Sequence, residues 1–344
     1  MLRSVSYSVL FGACLWAIAD ACLGLENSWI IFLHRVWAPL SLCAAMLAGA
    51  IGLCFRSCRT KRTIVLWIAL LIACCAPIIR SIALHTVSSR EEMKGPQSLT
   101  VFNLNTLGHI DRSQRIIEEI ERRSPDIVTL QEVNPELAHA LQTRLAHSYP
   151  CQYLDPVRGS WGMGILAKES CSPVAFPIPD AWVGKPQIVQ VARTGKLPLL
   201  VVNIHAIHPH AYFQQSPCCQ QVAGLSDTVR AREAAIARVL ATTKPIKSSA
   251  VVIAGDLNST MRNTTYELIR AAGFRDSWLG AQSLLHNGAT WPSEEFIRTP
   301  LLTWLLRIDF VFHCSALRPT QAELLPEDLG SDHRGIMVSF ADSV

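Results

Sequence analysis

The sequence predicts a mixed α/β domain, with sheets layered against helices, behind an all-α region of three membrane-spanning helices. Two observations carry this. Three long apolar stretches occupy residues 5–25, 36–55 and 64–84, and from residue 98 onward strand-like apolar runs alternate with amphipathic helical stretches. Charge divides the same way. Residues 1–94 hold nine basic and four acidic side chains, a net of +5, whereas 95–344 hold 22 and 23, a net of −1. The whole chain of 344 residues is 50% hydrophobic and 17% charged, with a mean hydropathy of +0.25. That composition excludes a disordered chain, which needs low hydrophobicity and high net charge.

Each apolar stretch is judged against a bilayer core about 30 Å thick, which takes roughly 20 helical residues. Residues 36–55 carry no charge over 20 positions. The first 16 residues of 64–84 are uncharged, and Arg80 near the end reaches an interface by snorkelling. The stretch 5–25 has Asp20 near its end; a cleaved signal peptide is the competing reading there, but the run is long and two more spans follow. Arg56, Arg59, Lys61 and Arg62 fill the short loop between spans two and three. The positive-inside rule puts that loop in the cytoplasm and the C-terminal domain on the other side, although Arg80, Arg90 and Lys94 pull the opposite way. The expectation is a multi-pass membrane protein with an extracytoplasmic domain.

Seven of the twelve cysteines lie in the apolar region, and the rest are Cys151, Cys171, Cys218, Cys219 and Cys314. Five is odd and no Cys-x-x-Cys occurs, so neither a zinc site nor a full disulfide framework is read. Cys218 and Cys219 read as loop cysteines.

Residues 86–97 are a polar linker with Gly-Pro near its end. A strand follows over 98–105. A helix over 111–123 places Ile116, Ile117 and Ile120 on one side, and Ser124-Pro-Asp breaks it. Residues 127–132 form the next strand and 135–147 a second helix. Further strands are expected at 164–167, 188–192, 199–204, 250–254, 308–313 and 335–340, with a long helix over 226–243. On that helix Arg230 and Arg232 read as a solvated face. His208, His210, Trp161 and Trp291 read as loop or packing residues.

Polar residues fall where the apolar runs end. Asn103 and Asn105 close the first strand, Glu132 the second, and Asn203 and His205 the run that follows Leu199. Asp256 and Asn258 follow Val-Val-Ile-Ala-Gly, Asp309 opens Asp-Phe-Val-Phe, and Asp332 and His333 precede the last strand. A sheet fixes side chains at its strand ends, which is where sites are built. Hard oxygen donors suit Mg²⁺, with Mn²⁺ as an alternative, more than zinc. Imidazole beside carboxylate suits proton transfer or phosphate binding. Together they point to metal-assisted attack of water on phosphorus.

The ordered segments Phe102-Asn-Leu-Asn, Leu130-Gln-Glu, Asn203-Ile-His, Gly255-Asp-Leu-Asn, Ile308-Asp-Phe-Val and Ser331-Asp-His-Arg-Gly resemble the motifs of the endonuclease/exonuclease/phosphatase superfamily. Pancreatic-type deoxyribonucleases, abasic-site endonucleases, neutral sphingomyelinases and inositol polyphosphate phosphatases belong to it. The resemblance covers 98–340 and implies a deoxyribonuclease-like two-sheet α/β sandwich flanked by helices. By matching position it implies that Glu132 is the main metal carboxylate with Asn103 beside it, and that Asp332 supports the metal shell. Asp256 would orient or deprotonate the attacking water and Asn258 would steady the transition-state phosphate. His333, held by Asp309, would stand on the phosphate side, and His205 is similar to the second histidine of the deoxyribonuclease branch. Attack would be direct, with no covalent intermediate. The role of Asn105 stays open, since some branches place an acid there.

The expected function is a membrane-anchored, Mg²⁺-dependent phosphodiesterase, nuclease-type. The alternatives are a phospholipid or small phosphoester hydrolase on the same scaffold, and a catalytically inactive membrane adaptor. Expected partners are a phosphoester substrate, nucleic acid or lipid headgroup, and the bilayer; no obligate protein partner is evident. A net of −1 on the domain shows no overall basic footprint for tight duplex binding.

Overall fold

The computed structural model describes residues 68, 99–177, 182–208, 225–243, 249–281, 288–293, 306–326 and 329–343. Apart from Ile68, the expected spans 5–25, 36–55 and 64–84 lie outside the described residues, as do the linker 86–97, His210, Cys218 and Cys219. Among the described residues no helix is long and apolar enough to cross a membrane. Of two compact units, Met1–Ser89 with Arg262–Thr264 and Arg90–Met261 with Thr265–Val344, the second carries the fold below.

Its elements run β1 (Leu99–Asn105), α1 (Ser113–Arg123), β2 (Ile127–Gln131), α2 (Pro135–Arg144), β3 (Cys151–Asp155), β4 (Met163–Ala167), β5 (Cys171–Pro173), β6 (Trp182–Val191) and β7 (Leu199–Ala206). They continue as α3 (Leu225–Thr243), β8 (Ala250–Asp256), α4 (Thr264–Ala271), β9 (Arg275–Asp276), α5 (Ser277–Ala281), β10 (Asp309–His313), β11 (Leu317–Leu324) and β12 (Ile336–Asp342). One sheet has the order β11-β12-β1-β2-β4-β3, the other β5-β6-β7-β8-β10-β9. Within each, one adjacent pair is parallel, β1 with β2 and β7 with β8. The two-sheet α/β arrangement is therefore the observed one.

Local chemistry explains the boundaries. Helix α1 starts later than periodicity suggests because Asp111 Oδ1 accepts from Ser113 N at 3.0 Å and holds a turn ahead of it. It stops at Ser124, which takes a left-handed φ of 46° before Pro125. Asn134 caps α2, accepting from Leu137 N at 2.8 Å, with Pro135 in the first turn.

Three apolar layers hold the domain. Val101, Ile165, Val201, Val252, Val311 and Val338 fill the space between the sheets. Ile116, Ile117 and Ile120 of α1 and Leu137 and Leu141 of α2 cover the outer face of the first sheet, on Phe102, Leu104 and Val128. Ile236 and Val239 of α3 and Tyr266 and Ile269 of α4 cover the second, on Val202, Ile253, Phe310 and Phe312. Each such side chain contributes about 1.5–3 kcal/mol when taken from water. A disulfide joins Cys151 in β3 to Cys171 in β5, with the Cα atoms 5.5 Å apart.

Candidate active site

The register of the second sheet sets three groups side by side. His205 pairs with Asp256 between β7 and β8, and Asp256 pairs with Asp309 between β8 and β10. Across the sandwich, Asn105 ends β1 opposite Gln131, and Glu132 follows directly on β2. Both parallel pairs thus point their C-terminal ends at one pole, where loop residues complete the cluster.

The backbone there is bent into conformations that side chains rarely adopt. Glu132 has φ 59° and Asn258 φ 46°. Gly255, at φ 145°, must be glycine, because a Cβ would lie 1.9 Å from the Ile204 carbonyl oxygen. Gly108 is similarly required. Its N–H donates to Glu132 Oε2 at 3.2 Å, and a Cβ there would meet the Gly159 carbonyl oxygen at 2.3 Å.

The side chains converge. Asn105 Nδ2 lies 3.2 Å from Glu132 Oε1 and 3.2 Å from Asp256 Oδ2, linking the two sheets through one amide. His205 Nε2 lies 3.5 Å from Asp256 Oδ2 and 3.9 Å from Glu132 Oε1. His333 Nδ1 lies 2.9 Å from Asp309 Oδ2, and its Nε2 is 3.8 Å from Asp256 Oδ2. Asp256 Oδ1 accepts from Asn258 N at 2.7 Å, and Asn258 Nδ2 donates to the Ala206 carbonyl at 2.9 Å. Glu132, His205, Asp256, Asp309 and His333 are all buried.

Asn103 does not lie beside Glu132. It sits one strand repeat deeper, where its Oδ1 accepts from Thr129 Oγ1 at 2.9 Å and from Gln131 Nε2 at 3.0 Å. Gln131 Nε2 also donates to Asn203 Oδ1 at 2.7 Å, so Asn103 belongs to an amide layer beneath the site. The amide in contact with Glu132 is that of Asn105. Asp332 is half-buried next to His333, and its carbonyl accepts from Ser293 N at 2.9 Å.

Arg232 also differs from expectation. Arg230 is exposed and paired with Asp227, but Arg232 is 1% exposed. Its Nη1 donates to the Ile207 carbonyl at 3.3 Å and the Asn258 carbonyl at 3.2 Å. Two hydroxyls brace the site, that of Ser331, which the sequence shows only as part of its motif, and that of Thr290, which it does not single out. Ser331 Oγ donates to the Asn105 carbonyl at 2.6 Å and accepts from His333 N at 3.0 Å. Thr290 Oγ1 accepts from Ile308 N at 3.2 Å and Asp309 N at 3.3 Å.

Electrostatics separates the two histidines. Burial, then the imidazoles of His333 and His208, push His205 down to about 3, so it is neutral. Burial also opposes charge on His333, but the carboxylates of Asp309, Asp332 and Asp256 outweigh it and hold its pKa well above the ordinary value. Burial raises Asp256; the His333 charge opposes this and Asp309 adds to it, leaving Asp256 at about 7. Glu132 is raised by burial and then by the Asp332 carboxylate, against the pull of His333.

A divalent cation fits this donor set. Glu132 is a buried carboxylate held up by a second carboxylate, an arrangement that a bound cation relieves. The carboxylates on that side, Glu132 and Asp332, are hard oxygen donors, while the Asn105 amide faces Glu132 with its Nδ2 and its Oδ1 accepts from Leu107 N at 3.2 Å. Ligand atoms of Asp256, Asp309 and His333 also lie within 4.8 Å of one another. That trio is a poor cation site, because His333 is tied to Asp309 and held protonated.

A family model described as the endonuclease/exonuclease/phosphatase family matches residues 101–333. Among solved structures, Danio rerio TDP2 complexed with a single-strand DNA product is 23% identical, with a TM-score of 0.52, covering 71% of this chain and 98% of that one. A 3′ phosphatase from Neisseria bound to a product DNA hairpin is 16% identical, with a TM-score of 0.54, covering 71% and 100%. An endonuclease/exonuclease/phosphatase from Beutenbergia cavernae is 18% identical, with a TM-score of 0.53, covering 72% of each. These likenesses establish the fold. No curated protein matches.

Proposed function

The chain belongs to the endonuclease/exonuclease/phosphatase family, and from that premise we propose that it is a membrane-anchored, Mg²⁺-dependent phosphodiesterase of nuclease type. The observation that carries the reading is the convergence of the Asp256 carboxylate with His205 at 3.5 Å, His333 at 3.8 Å and, through the Asn105 amide, Glu132, with burial raising the Asp256 pKa towards neutrality. A general base works best when its pKa lies near the working pH.

Water attacks phosphorus directly. Asp256 holds that water and takes its proton, while the Asn258 N–H keeps the carboxylate oriented. His333, charged through Asp309, sits where negative charge develops on the phosphoryl oxygens. The Asn258 amide, tied to the Ala206 carbonyl and to Asp256 Oδ2, braces that carboxylate, and neutral His205 hydrogen-bonds a phosphoryl oxygen or the Asp256 carboxylate. Glu132, with Asp332 beside it and the Asn105 amide orienting its carboxylate, would hold Mg²⁺, which would supply Lewis-acid polarisation of the phosphoryl group and neutralise developing charge. The inactive-adaptor alternative requires a broken site, and the residues the family resemblance names are all present here.

Anchoring rests on the apolar stretches of residues 1–84, and an extracytoplasmic domain on the basic loop 56–62. Duplex or single-stranded DNA is favoured over lipid by the DNA bound to the two structural relatives named above, which is support by fold alone.

The full chain in detergent, with Mg²⁺ or with EDTA, is assayed on plasmid DNA, single-stranded oligonucleotide, phospholipid vesicles and a generic phosphodiester. An Asp256→Ala, His333→Ala protein runs alongside. Metal-dependent cleavage of DNA lost in the variant supports the reading. Turnover confined to vesicles selects the lipid hydrolase, and no turnover by the folded protein sinks the nuclease assignment.

A further inference from the structure

The disulfide lies where the two sheets are open. Strand β3 is the last strand of the first sheet and β5 the first of the second, so the Cys151–Cys171 bond fastens one sheet edge to the other. Cys151 is 4% exposed and packs in the core between the sheets, with Cys171 against the same core. Little else holds β3. Of its residues only Cys151 is buried, the other four being half-buried or exposed, and among the described residues its one strand neighbour is β4. Two side-chain bonds reach it from outside its own sheet, Gln152 Nε2 to the Leu141 carbonyl at 3.3 Å and Gln187 Nε2 to the Tyr153 carbonyl at 3.2 Å.

The 20-residue separation between the cysteines contains the whole β3–β4 hairpin, and the tip of that hairpin reaches the active site. The turn between the two strands spans residues 156–162. Val133, next to Glu132, exchanges main-chain hydrogen bonds with the same loop, donating to Gly162 and accepting from Val157, each at 3.0 Å. The cystine therefore closes the base of a hairpin whose turn forms one wall of the site.

We propose that Cys151 and Cys171 are an oxidative modification site, closed by a disulfide-donating protein of an oxidising, extracytoplasmic compartment, and that the catalytic domain holds its β3–β4 hairpin only after this step. Each thiol gives up a proton, the new S–S bond forms, and the two electrons pass to the donor's disulfide, which leaves as a dithiol. Cystines persist in such compartments and are rare where glutathione and thioredoxin keep thiols reduced. This deepens the function proposed above, because it assigns the side of the membrane on which substrate is met. It agrees with the charge of the loop 56–62 and does not depend on it.

The test uses full-length protein taken from its native membrane. Free thiols are blocked under denaturing conditions, the protein is then reduced and labelled with a second maleimide, and labelled peptides are mapped by mass spectrometry. The second label is expected on Cys151 and Cys171 together, with Cys314 carrying the first. First label on both Cys151 and Cys171 overturns the proposal, whatever substrate the domain turns over. A second arm compares oxidised protein, mildly reduced protein and a Cys151→Ala, Cys171→Ala variant by amide hydrogen exchange. Exchange over residues 151–163 is expected to rise of order a hundredfold in the latter two, as loop closure of this length implies. Unchanged exchange there refutes the role assigned to the hairpin even where the cystine exists.

Discussion

Arg232 Nη1 donates to the main-chain oxygen of Asn258 at 3.2 Å, from a side chain that is 1% exposed. Helix α3, on the outer face of the second sheet, thereby holds the carbonyl of the turn that aims Asn258 and Asp256. Asn258 needs such a hold, since its φ of 46° is costly for a residue with a side chain.

Replacing Arg232 with Met keeps most of the packing and removes that hold. The carbonyls of Ile207 and Asn258 lose a partner, at a cost of about 1–3 kcal/mol in stability. The turn relaxes, and kcat is expected to fall roughly a hundredfold with KM little changed, the size expected for a displacement near 1 Å. Urea unfolding gives the first quantity and steady-state kinetics the second. A variant with full kcat and the expected loss of stability would reduce Arg232 to a packing residue.

The pair His333 and Asp309 makes a prediction about pH. With its pKa held well above the ordinary value, His333 keeps its proton to higher pH than a free histidine does. Activity that uses the imidazolium then falls as pH rises through that raised value. Its contribution to stability has the same sign: present below the unfolded pKa and lost as pH passes the folded one. Asp309→Asn removes a leading source of the raised value while keeping the shape. The alkaline limb of the kcat profile is expected to move to lower pH, with a loss of about 10²–10⁴ in kcat at neutrality. An unmoved limb would assign it to another group.

The sequence showed the row of polar strand ends because each follows an apolar run, and the register turned that row into a cluster. It did not show which asparagine meets Glu132. Asn103 and Asn105 share parity and so share a face of β1. Only the pairing of Asn105 with Gln131, one residue before Glu132, decides which of them reaches the site. Arg232 was hidden for a different reason. A buried arginine is rare, so a helix arginine reads as solvated, and that expectation fails at a position recruited to brace a site. Strand β11 escaped because it is polar, contains Pro319 and bulges there. The Cys151–Cys171 pairing depends on which sheet edges meet, which no spacing of cysteines encodes.

Glu132 gives the metal prediction. Its carboxylate is buried with Asp332 nearby, and both raise its pKa. A bound divalent cation stabilises this state by mass action, with about 2.7 kcal/mol expected at a hundredfold excess over Kd. Addition of Mg²⁺ should raise Tm and EDTA should reverse it. Glu132→Gln removes the charge that attracts the cation, and its Tm should not respond to Mg²⁺. An equal Mg²⁺ shift in that variant would place the cation elsewhere.

His313 lies outside the site and isolates one term in acid stability. It is 2% exposed, and its Nδ1 is 2.9 Å from Ser277 Oγ. Burial is the first cause that holds its pKa down, to about 4. The folded state thus binds the His313 proton more weakly than the unfolded state, whose histidine pKa is about 6.5. Its neutral form fits the fold above that value, and stability drains away as pH falls from about 6.5 towards 4. At 1.36 kcal/mol per pKa unit, the loss is about 3 kcal/mol. His205, held at about 3, contributes a loss of the same sign that continues to lower pH. His313→Gln should therefore flatten, without abolishing, the fall in unfolding free energy across this window. Denaturant unfolding at a series of pH values measures it, and parallel curves for the two proteins would show that His313 accepts its proton in the folded state as readily as in the unfolded one.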